Sequence, residues 1–329
     1  MRTEVLPFNP DSVARAAELL RAGSVVAFPT ETVYGLGARA DDSTAVKRIF
    51  EAKGRPSTNP LIVHVADVAA ARELVDAFPE AAERLAEAFW PGPLTLVLKR
   101  RLGVVADEVV AGGDTVAVRI PASPAAQALL EATRLPLAAP SANRSMSISP
   151  TTAEHVLKSL DGRIPLILDA GPCRCGIEST IVDVTRTPAI LLRPGAVSPD
   201  ALRAIVEVAD PGAIVVSHDE RAPAPGTSAK HYAPRATVIL VAPNVFLDEL
   251  ERHRASGLSV GILSFMSEHS RGAPVEILPD DPEAYAAGLY AALHRLDDAE
   301  CQEILVVEPP GTPVWLAVRD RLRRAAASG

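Results

Sequence analysis

Residues 28–63, FPTETVYGLGARADDSTAVKRIFEAKGRPSTNPLIV, set a strand, a threonine-rich turn, a helix and a basic exit in one run, and this run constrains the fold most. The apolar residues Ser24 to Phe28 lead into Thr30-Glu31-Thr32, which places two hydroxyls and a carboxylate at a strand end. Ser43 to Ala52 has amphipathic helical spacing, and Lys53 and Arg55 add two cations at its end before Pro56 stops it. Cations there complement the helix dipole, which is one sufficient reason for them. A second polar string, Pro140-Ser141-Ala142-Asn143 running on to Ser149-Pro150, follows an apolar run in the same half. Basic groups with hydroxyl and amide donors at strand-to-loop junctions are what a nucleotide phosphate and a small polar substrate both require.

Hydrophobic periodicity predicts a helix over 11–22, capped by Asp11 or Ser12 and closed at Gly23. A strand is expected at 61–65, a helical region at 68–89 ending at Trp90-Pro91-Gly92-Pro93, and strands at 94–98, 116–120 and 135–139. Residues 151–160 read as a helix with a Thr-x-x-Glu-like start, followed by short strands at 165–168, 180–184 and 189–192. Strands that outnumber helices and follow one another directly indicate an α/β fold, with helices on a mixed, twisted sheet.

Composition changes near residue 210. The segment His218 to Pro234, HDERAPAPGTSAKHYAP, has prolines, a glycine and no apolar period, and predicts an extended linker. The chain then divides into an N-terminal unit at 1–210, a linker at 211–236 and a C-terminal unit at 237–329. In the last, strands at 237–241, 259–265 and 303–307 alternate with helices at 246–256 and 282–296, the pattern of a small Rossmann-like parallel sheet. It has no G-x-G-x-x-G turn, so dinucleotide binding there has little support.

A net charge of −8 gives no global basic field for nucleic acid, so any polyanion site must come from locally clustered Lys and Arg. The first twelve residues lack a basic start followed by an apolar run, and no apolar stretch is long enough to span a bilayer, so a cytoplasmic chain is expected. Three cysteines, with a single residue between Cys173 and Cys175, suit reduced thiols better than a structural metal site.

The strings PTETVYGLG, KGRP with NPL and VH after it, PSAN, GIESTIVD and LRPGA follow in this order over about residues 10–200. Together they resemble the YrdC-like threonylcarbamoyl-adenylate synthases, and the later PG with KHYAP resembles the linker of the two-domain, Sua-type members. The resemblance implies that Lys53, Arg55, Ser141 and Asn143 form the catalytic set and that Arg55, Asn59, Thr115, Ser141, Ser149, Arg193 and Tyr232 contact ATP. It places L-threonine on Thr32, His64, Arg119, Ala139 and Ser179, and makes Lys230, His231 and Tyr232 a lid. An arginine fork suits two phosphate oxygens and a lysine gives a mobile point charge. Arg119, ending a buried strand, needs an anion, and in this reading the threonine carboxylate supplies it. His64 taken alone is more readily a core histidine.

The reaction so implied joins L-threonine, bicarbonate or CO2, and ATP into threonylcarbamoyl-AMP, with Mg2+ carried by phosphate oxygens and water and no protein metal site. The expected recipient is the tRNA machinery that makes threonylcarbamoyladenosine, with at most weak RNA contact by this chain and no membrane. The cleft is expected to stand open to solvent when empty. Two other readings fit the same fold: a carbamoyl-adenylate-forming enzyme and a non-catalytic RNA-binding or regulatory protein. One departure from the family concerns Asp169-Ala170-Gly171, where paired glycines are common, and the cysteines that follow.

Overall fold

In the computed structural model, which describes residues 2–210, 232–266 and 274–327, local sequence sets most elements. The N-terminal unit runs β1 (Glu4–Pro7), α1 (Pro10–Arg21), β2 (Val26–Pro29), β3 (Tyr34–Arg39), α2 (Ser43–Lys53), β4 (Ile62–His64), α3 (Val68–Glu73), α4 (Glu80–Phe89), β5 (Leu94–Lys99) and β6 (Thr115–Arg119). It continues with α5 (Pro124–Thr133), β7 (Leu137–Ala138), α6 (Ala153–Leu160), β8 (Leu166–Asp169), β9 (Thr180–Asp183), β10 (Ala189–Arg193), α7 (Pro199–Arg203) and β11 (Val208–Ala209). The strands form one mixed sheet in the order β1-β8-β2-β3-β7-β4-β6-β5-β9-β10-β11.

Both faces of its centre are covered, and β2 shows how. Val25 and Ala27 bury on the side of α2, while Val26 and Phe28 bury with α1 and α5, because successive strand side chains point to opposite faces. On α2, Ala45, Val46, Ile49 and Phe50 recur at helical spacing and face the first of these cores. Gly54 ends α2 in the left-handed region, φ 60°, and the reversal lets the Arg55 amide reach the Phe50 carbonyl at 3.0 Å.

Several expectations are corrected. Asn9, not Asp11 or Ser12, caps α1, its side chain accepting from the Ser12 amide at 2.9 Å. The helical region at 68–89 is two helices, α3 and α4, because Pro79 lacks an amide hydrogen and restricts Phe78 before it. No strand was expected at β3, where Gly35, Gly37 and Ala38 depress β-propensity. The glycines serve close approach: a Cβ on Gly37 would lie 2.7 Å from Phe28 Cε1 on the antiparallel partner β2. The short loop after β8 takes its left-handed turn at Gly171, φ 81°, where the amide bonds Asp169 Oδ1 at 2.9 Å, so the preceding alanine is accommodated.

The C-terminal unit contains β12 (Thr237–Val241), α8 (Phe246–Ala255), β13 (Val260–Ser264), β14 (Val275–Ile277), α9 (Pro282–Asp298), β15 (Glu303–Val307) and α10 (Leu316–Ala326). Its four strands are all parallel, in the order β12-β15-β13-β14. The two units share a core: Val33, Ile148, Ile177 and Tyr232 bury in one cluster with Tyr290 and Leu293 of α9 and Leu322 of α10. Most of the expected linker lies outside the described residues.

Candidate active site

Strand pairing gathers the site. Since β6 is antiparallel to β5, β5 parallel to β9 and β9 antiparallel to β10, the C-terminal ends of β6 and β10 meet the start of β9 at one edge. Parallel pairing of β4 with β6 brings His64 opposite Arg119 there. The cleft, about 540 Å³ including its open mouth, is lined by Thr30, Thr32, Val33, Gly35, Arg55, Ile62, His64, Arg119, Ala139, Pro140, Ser141, Glu178, Ser179, Arg193 and Tyr232.

At one end stands the Thr30–Thr32 turn. Thr30 Oγ1 donates to the Val33 carbonyl at 2.6 Å and accepts from the amides of Thr32 and Val33 at 3.2 Å, so its hydroxyl closes the turn. Arg119 reaches across it, with Nη1 donating to Thr32 Oγ1 at 3.0 Å, Nη2 to Glu31 Oε1 at 2.7 Å and Nε to the Gly92 carbonyl at 3.2 Å. The other Glu31 oxygen accepts from the Ala122 amide at 3.0 Å. The anion that Arg119 requires is therefore already part of the chain, which corrects the expectation that substrate alone would supply it. A guanidinium has five N–H donors, and these bonds leave one on each terminal nitrogen. His64, buried beside Phe28 with Nδ1 unpartnered, is pushed down to about 3 by burial and then by the Arg119 charge, so it is neutral at ordinary pH.

The other end is cationic. Arg55 lines the cleft, its Nη2 donating to the Pro60 carbonyl at 3.2 Å while Nε is buried without a partner. Burial holds it down, to about 10; Tyr232 opposes this in part, and Arg193 adds a lesser push downward. Lys53 is lowered well below its usual range by burial and then by Arg55. Neither Lys53 nor Arg55 has a carboxylate partner among the described residues. Both side chains are buried, at 2% and 9% exposure, although the cleft that Arg55 lines has an open mouth. Buried cations whose charged forms are disfavoured gain from a bound polyanion.

Lys53 does not line the cleft. Its Nζ donates to the Ser141 carbonyl at 2.6 Å, to the Asn143 carbonyl and, at 3.4 Å, to Asn143 Oδ1, so it clasps the loop that carries Ser141. Asn143 in turn donates from Nδ2 to the Ser147 carbonyl at 2.7 Å. Ser149 stands behind the wall and donates to Glu178 Oε1 at 2.6 Å. Arg193 donates through Nη2 to the Ser179 carbonyl at 2.9 Å and Oγ at 3.2 Å, while Thr95 Oγ1 meets Ser179 Oγ at 2.8 Å. Tyr232, 1% exposed, lies against the cleft with its ring centre 5.7 Å from that of Tyr290.

Nine expected site residues are thus together: Thr32, Arg55, His64, Arg119, Ala139, Ser141, Ser179, Arg193 and Tyr232. Lys53, Asn143 and Ser149 support them from behind. Asn59 is half-buried on the 56–60 loop and bonds the Pro56 carbonyl through its amide. Thr115 begins β6, four residues from Arg119 and so about 13 Å along the strand, outside the cleft lining. Lys230 and His231 lie outside the described residues. Sequence reasoning missed Glu178, which burial pushes up but Arg321 and then Arg193 bring down to about 2. Its signal was a carboxylate in Gly176-Ile177-Glu178-Ser179, immediately before the strand expected at 180–184. Cys173 is buried and its thiol is pushed up by burial, which suits a packing residue and not a nucleophile.

A family model described as "Telomere recombination" (Sua5_yciO_yrdC) matches residues 18–195, and one described as "Threonylcarbamoyl-AMP synthase, C-terminal domain" matches residues 197–327. The threonylcarbamoyl-AMP synthase of Bacillus subtilis is 41% identical over 98% of this chain and 95% of its own length. That of Pyrococcus abyssi is 43% identical over 94% and 93%. The crystal structure of P. abyssi Sua5 complexed with L-threonine is similar with a TM-score of 0.91 and 42% identity, covering 98% of each chain. Motifs, mixed sheet, appended parallel sheet and near-complete coverage agree, and the chain belongs to the Sua5/YciO/YrdC family in the two-domain form that carries the threonylcarbamoyl-AMP synthase C-terminal domain.

Proposed function

We propose that this chain is a threonylcarbamoyl-AMP synthase, consuming L-threonine, bicarbonate or CO2, and ATP and releasing pyrophosphate. The observation that carries the reading is one cleft with two chemically distinct ends: Arg55 and Arg193 at one, Thr32, neutral His64 and an internally braced Arg119 at the other. The amine of threonine attacks the carbon of CO2 and loses a proton, giving a carbamate. A carbamate oxygen then attacks the α-phosphorus of ATP, and pyrophosphate leaves in line.

No covalent enzyme intermediate is required, and the chain's part is to position and to neutralise charge. The two unused Arg119 donors receive the threonine carboxylate without displacing Glu31. His64, uncharged, offers a hydrogen bond to the amino acid and leaves the cationic ends to the anions. Arg55 and Arg193 take phosphate oxygens, and Lys53 keeps the Ser141 loop in place for the nucleotide. Magnesium enters with ATP as part of that substrate. The carboxylate that lines the cleft, Glu178, and Glu31 beside it do not fit a protein-held metal, because Glu31 is committed to Arg119 and the Ala122 amide, and Glu178 to Ser149, Tyr290 and Arg321. The adenylate then passes to the tRNA threonylcarbamoyl-transferring machinery, a step supported by the family alone. No helix among the described residues is long and apolar enough to cross a membrane.

The direct test is pyrophosphate release from ATP with and without L-threonine and bicarbonate. Release is expected only with both present; release independent of threonine, or none, removes the assignment. Serine in place of threonine loses one methyl, worth about 1–3 kcal/mol in an apolar niche, so kcat/KM should fall by ten- to two-hundredfold. Equal values for the two amino acids would contradict a threonine-shaped pocket.

A further inference from the structure

The buried carboxylate of Glu178 is held mostly by the other half of the molecule. Tyr290 on α9 donates its hydroxyl to Oε2 at 3.0 Å, and Arg321 on α10 donates Nε to the same oxygen at 2.7 Å. On the cleft side the carboxylate fixes Ser149 Oγ at 2.6 Å. Arg321 also stands over the Tyr232 ring, 5.2 Å from its centre, and its own Nη1 is tied to Asp320 at 2.7 Å. Arg321 and Tyr290 are 1% and 0% exposed, and neither lines the cleft. Two helices of the C-terminal unit thus grip, through one carboxylate and one aromatic ring, residues at the nucleotide end.

The threonine end is braced differently. Arg119, Glu31, Thr32 and Gly92 form their own set inside the N-terminal unit, and Ser179 Oγ is held by Thr95 on β5. Ser179 joins the two, as the chain neighbour of Glu178 and through Arg193 Nη2 at 3.2 Å, so disturbing the Tyr290 and Arg321 contacts acts first on the nucleotide end and leaves the Arg119 set in place.

We propose that Tyr290 and Arg321 are positioning residues for ATP, so that the C-terminal unit completes the nucleotide end of the catalytic cleft through Glu178 and Tyr232. The inference rests on the synthase reading for its choice of ligand. A buried ion pair by itself is weak evidence of a stabilising role, since replacing both partners by apolar groups is often neutral, whereas removing one strands the other. That asymmetry separates positioning from cohesion.

The experiment uses the full chain as wild type, Tyr290→Phe, Arg321→Lys, Arg321→Met and the double variant Glu178→Gln/Arg321→Met. Equilibrium binding of ATP and of L-threonine is measured separately, beside pyrophosphate release, at a temperature well below each Tm. Tyr290→Phe and Arg321→Lys should raise Kd and KM for ATP at least fivefold while L-threonine affinity stays within twofold. Arg321→Met should weaken ATP more and lower Tm, and the double variant should regain Tm but not ATP affinity. Should Arg321→Met fail to fold, Tyr290→Phe, which removes one oxygen, decides. Wild-type ATP binding in the folded variants, equal loss of both ligands, or ATP affinity that returns with Tm in the double variant would each overturn the inference. A wild-type chain that binds ATP but releases no pyrophosphate with threonine and bicarbonate would count against the reaction, while the ATP binding data still decide the positioning role.

Discussion

Lys53 and Arg55 are two residues apart and do different things. Arg55 is a buried cation with an unpartnered Nε and a depressed proton affinity, so the folded chain bears its charge at some cost. Arg55→Ala should therefore lower ATP-dependent turnover by more than tenfold, each lost charge-assisted contact being worth about 1.5–3 kcal/mol, and leave Tm unchanged or raised. Lys53→Ala should lower both, because its Nζ satisfies the carbonyls of Ser141 and Asn143, and a buried group left unpaired costs about 1–3 kcal/mol. Paired turnover and thermal unfolding measurements check this, and equal Tm changes in the two variants would sink the distinction. The sequence marks both as cations at a helix end. It does not distinguish them, because the carbonyls that claim Lys53 lie about ninety residues away along the chain. Arg119 shows the same limit: its strand and its need for an anion are legible, while the Glu31 partner 88 residues before it is set by tertiary folding.

At the scale of elements, the strands with β-branched runs were legible and the glycine-bearing β3 was not, since propensity reports the side chain and not the space it must leave free. Phe28 on β2 needs that space: its ring sits where a Gly37 Cβ would fall, at 2.7 Å. Gly37→Ala should cost about 1–3 kcal/mol, the usual range for overpacking a filled core, and Phe28→Leu in the same chain should recover part of it. Denaturant midpoints of the single and double variants test the coupling; strict additivity would show that the glycine matters for backbone freedom and not for the ring. The turn between these strands was legible by its residue types, and the closing role of the Thr30 hydroxyl follows from the preference of such residues for local backbone bonds. In the C-terminal unit the alternation of strand and helix was read directly, but α10 was not, because its arginines resemble a solvated face. Arg321 in that row is fully buried, and no local signal separates it from Arg323 and Arg324.

The whole molecule is held along a seam between its two units, and the seam carries a second feature with a measurable consequence. His155 of α6 and His294 of α9 stack with ring centres 3.8 Å apart, His294 Nε2 lying 3.3 Å from the Ser149 carbonyl and His155 Nδ1 3.3 Å from the Thr151 amide. Burial lowers both, His155 to about 3 with His294 as the next cause and His294 to about 4 against opposing help from the Ser149 carbonyl. Lys158 adds to the depression of both rings, Arg295 to that of His155, and Asp297 and Asp298 oppose it in part. Unfolded histidine titrates at about 6.5, so between that pH and about 4 the unfolded chain binds protons that the folded seam refuses. Stability is then fully present above the unfolded value and falls as the pH drops through this window. Urea unfolding at pH 7.5, 6 and 5 should show midpoints declining with acid, with a shallower decline in His155→Phe/His294→Phe, which keeps stacked rings and removes the titration. Parallel declines in wild type and double variant would mean that the acid sensitivity arises elsewhere. Since the same seam contains the Glu178 contacts, and Glu178 remains ionised throughout this range at about 2, acid should weaken the seam through the histidines before it discharges the carboxylate. ATP affinity of the folded chain at pH 6.5 and 5.5 should accordingly change alike in wild type and in the histidine double variant, because both rings stay neutral in the folded state at these values and the acid acts on the folding equilibrium alone.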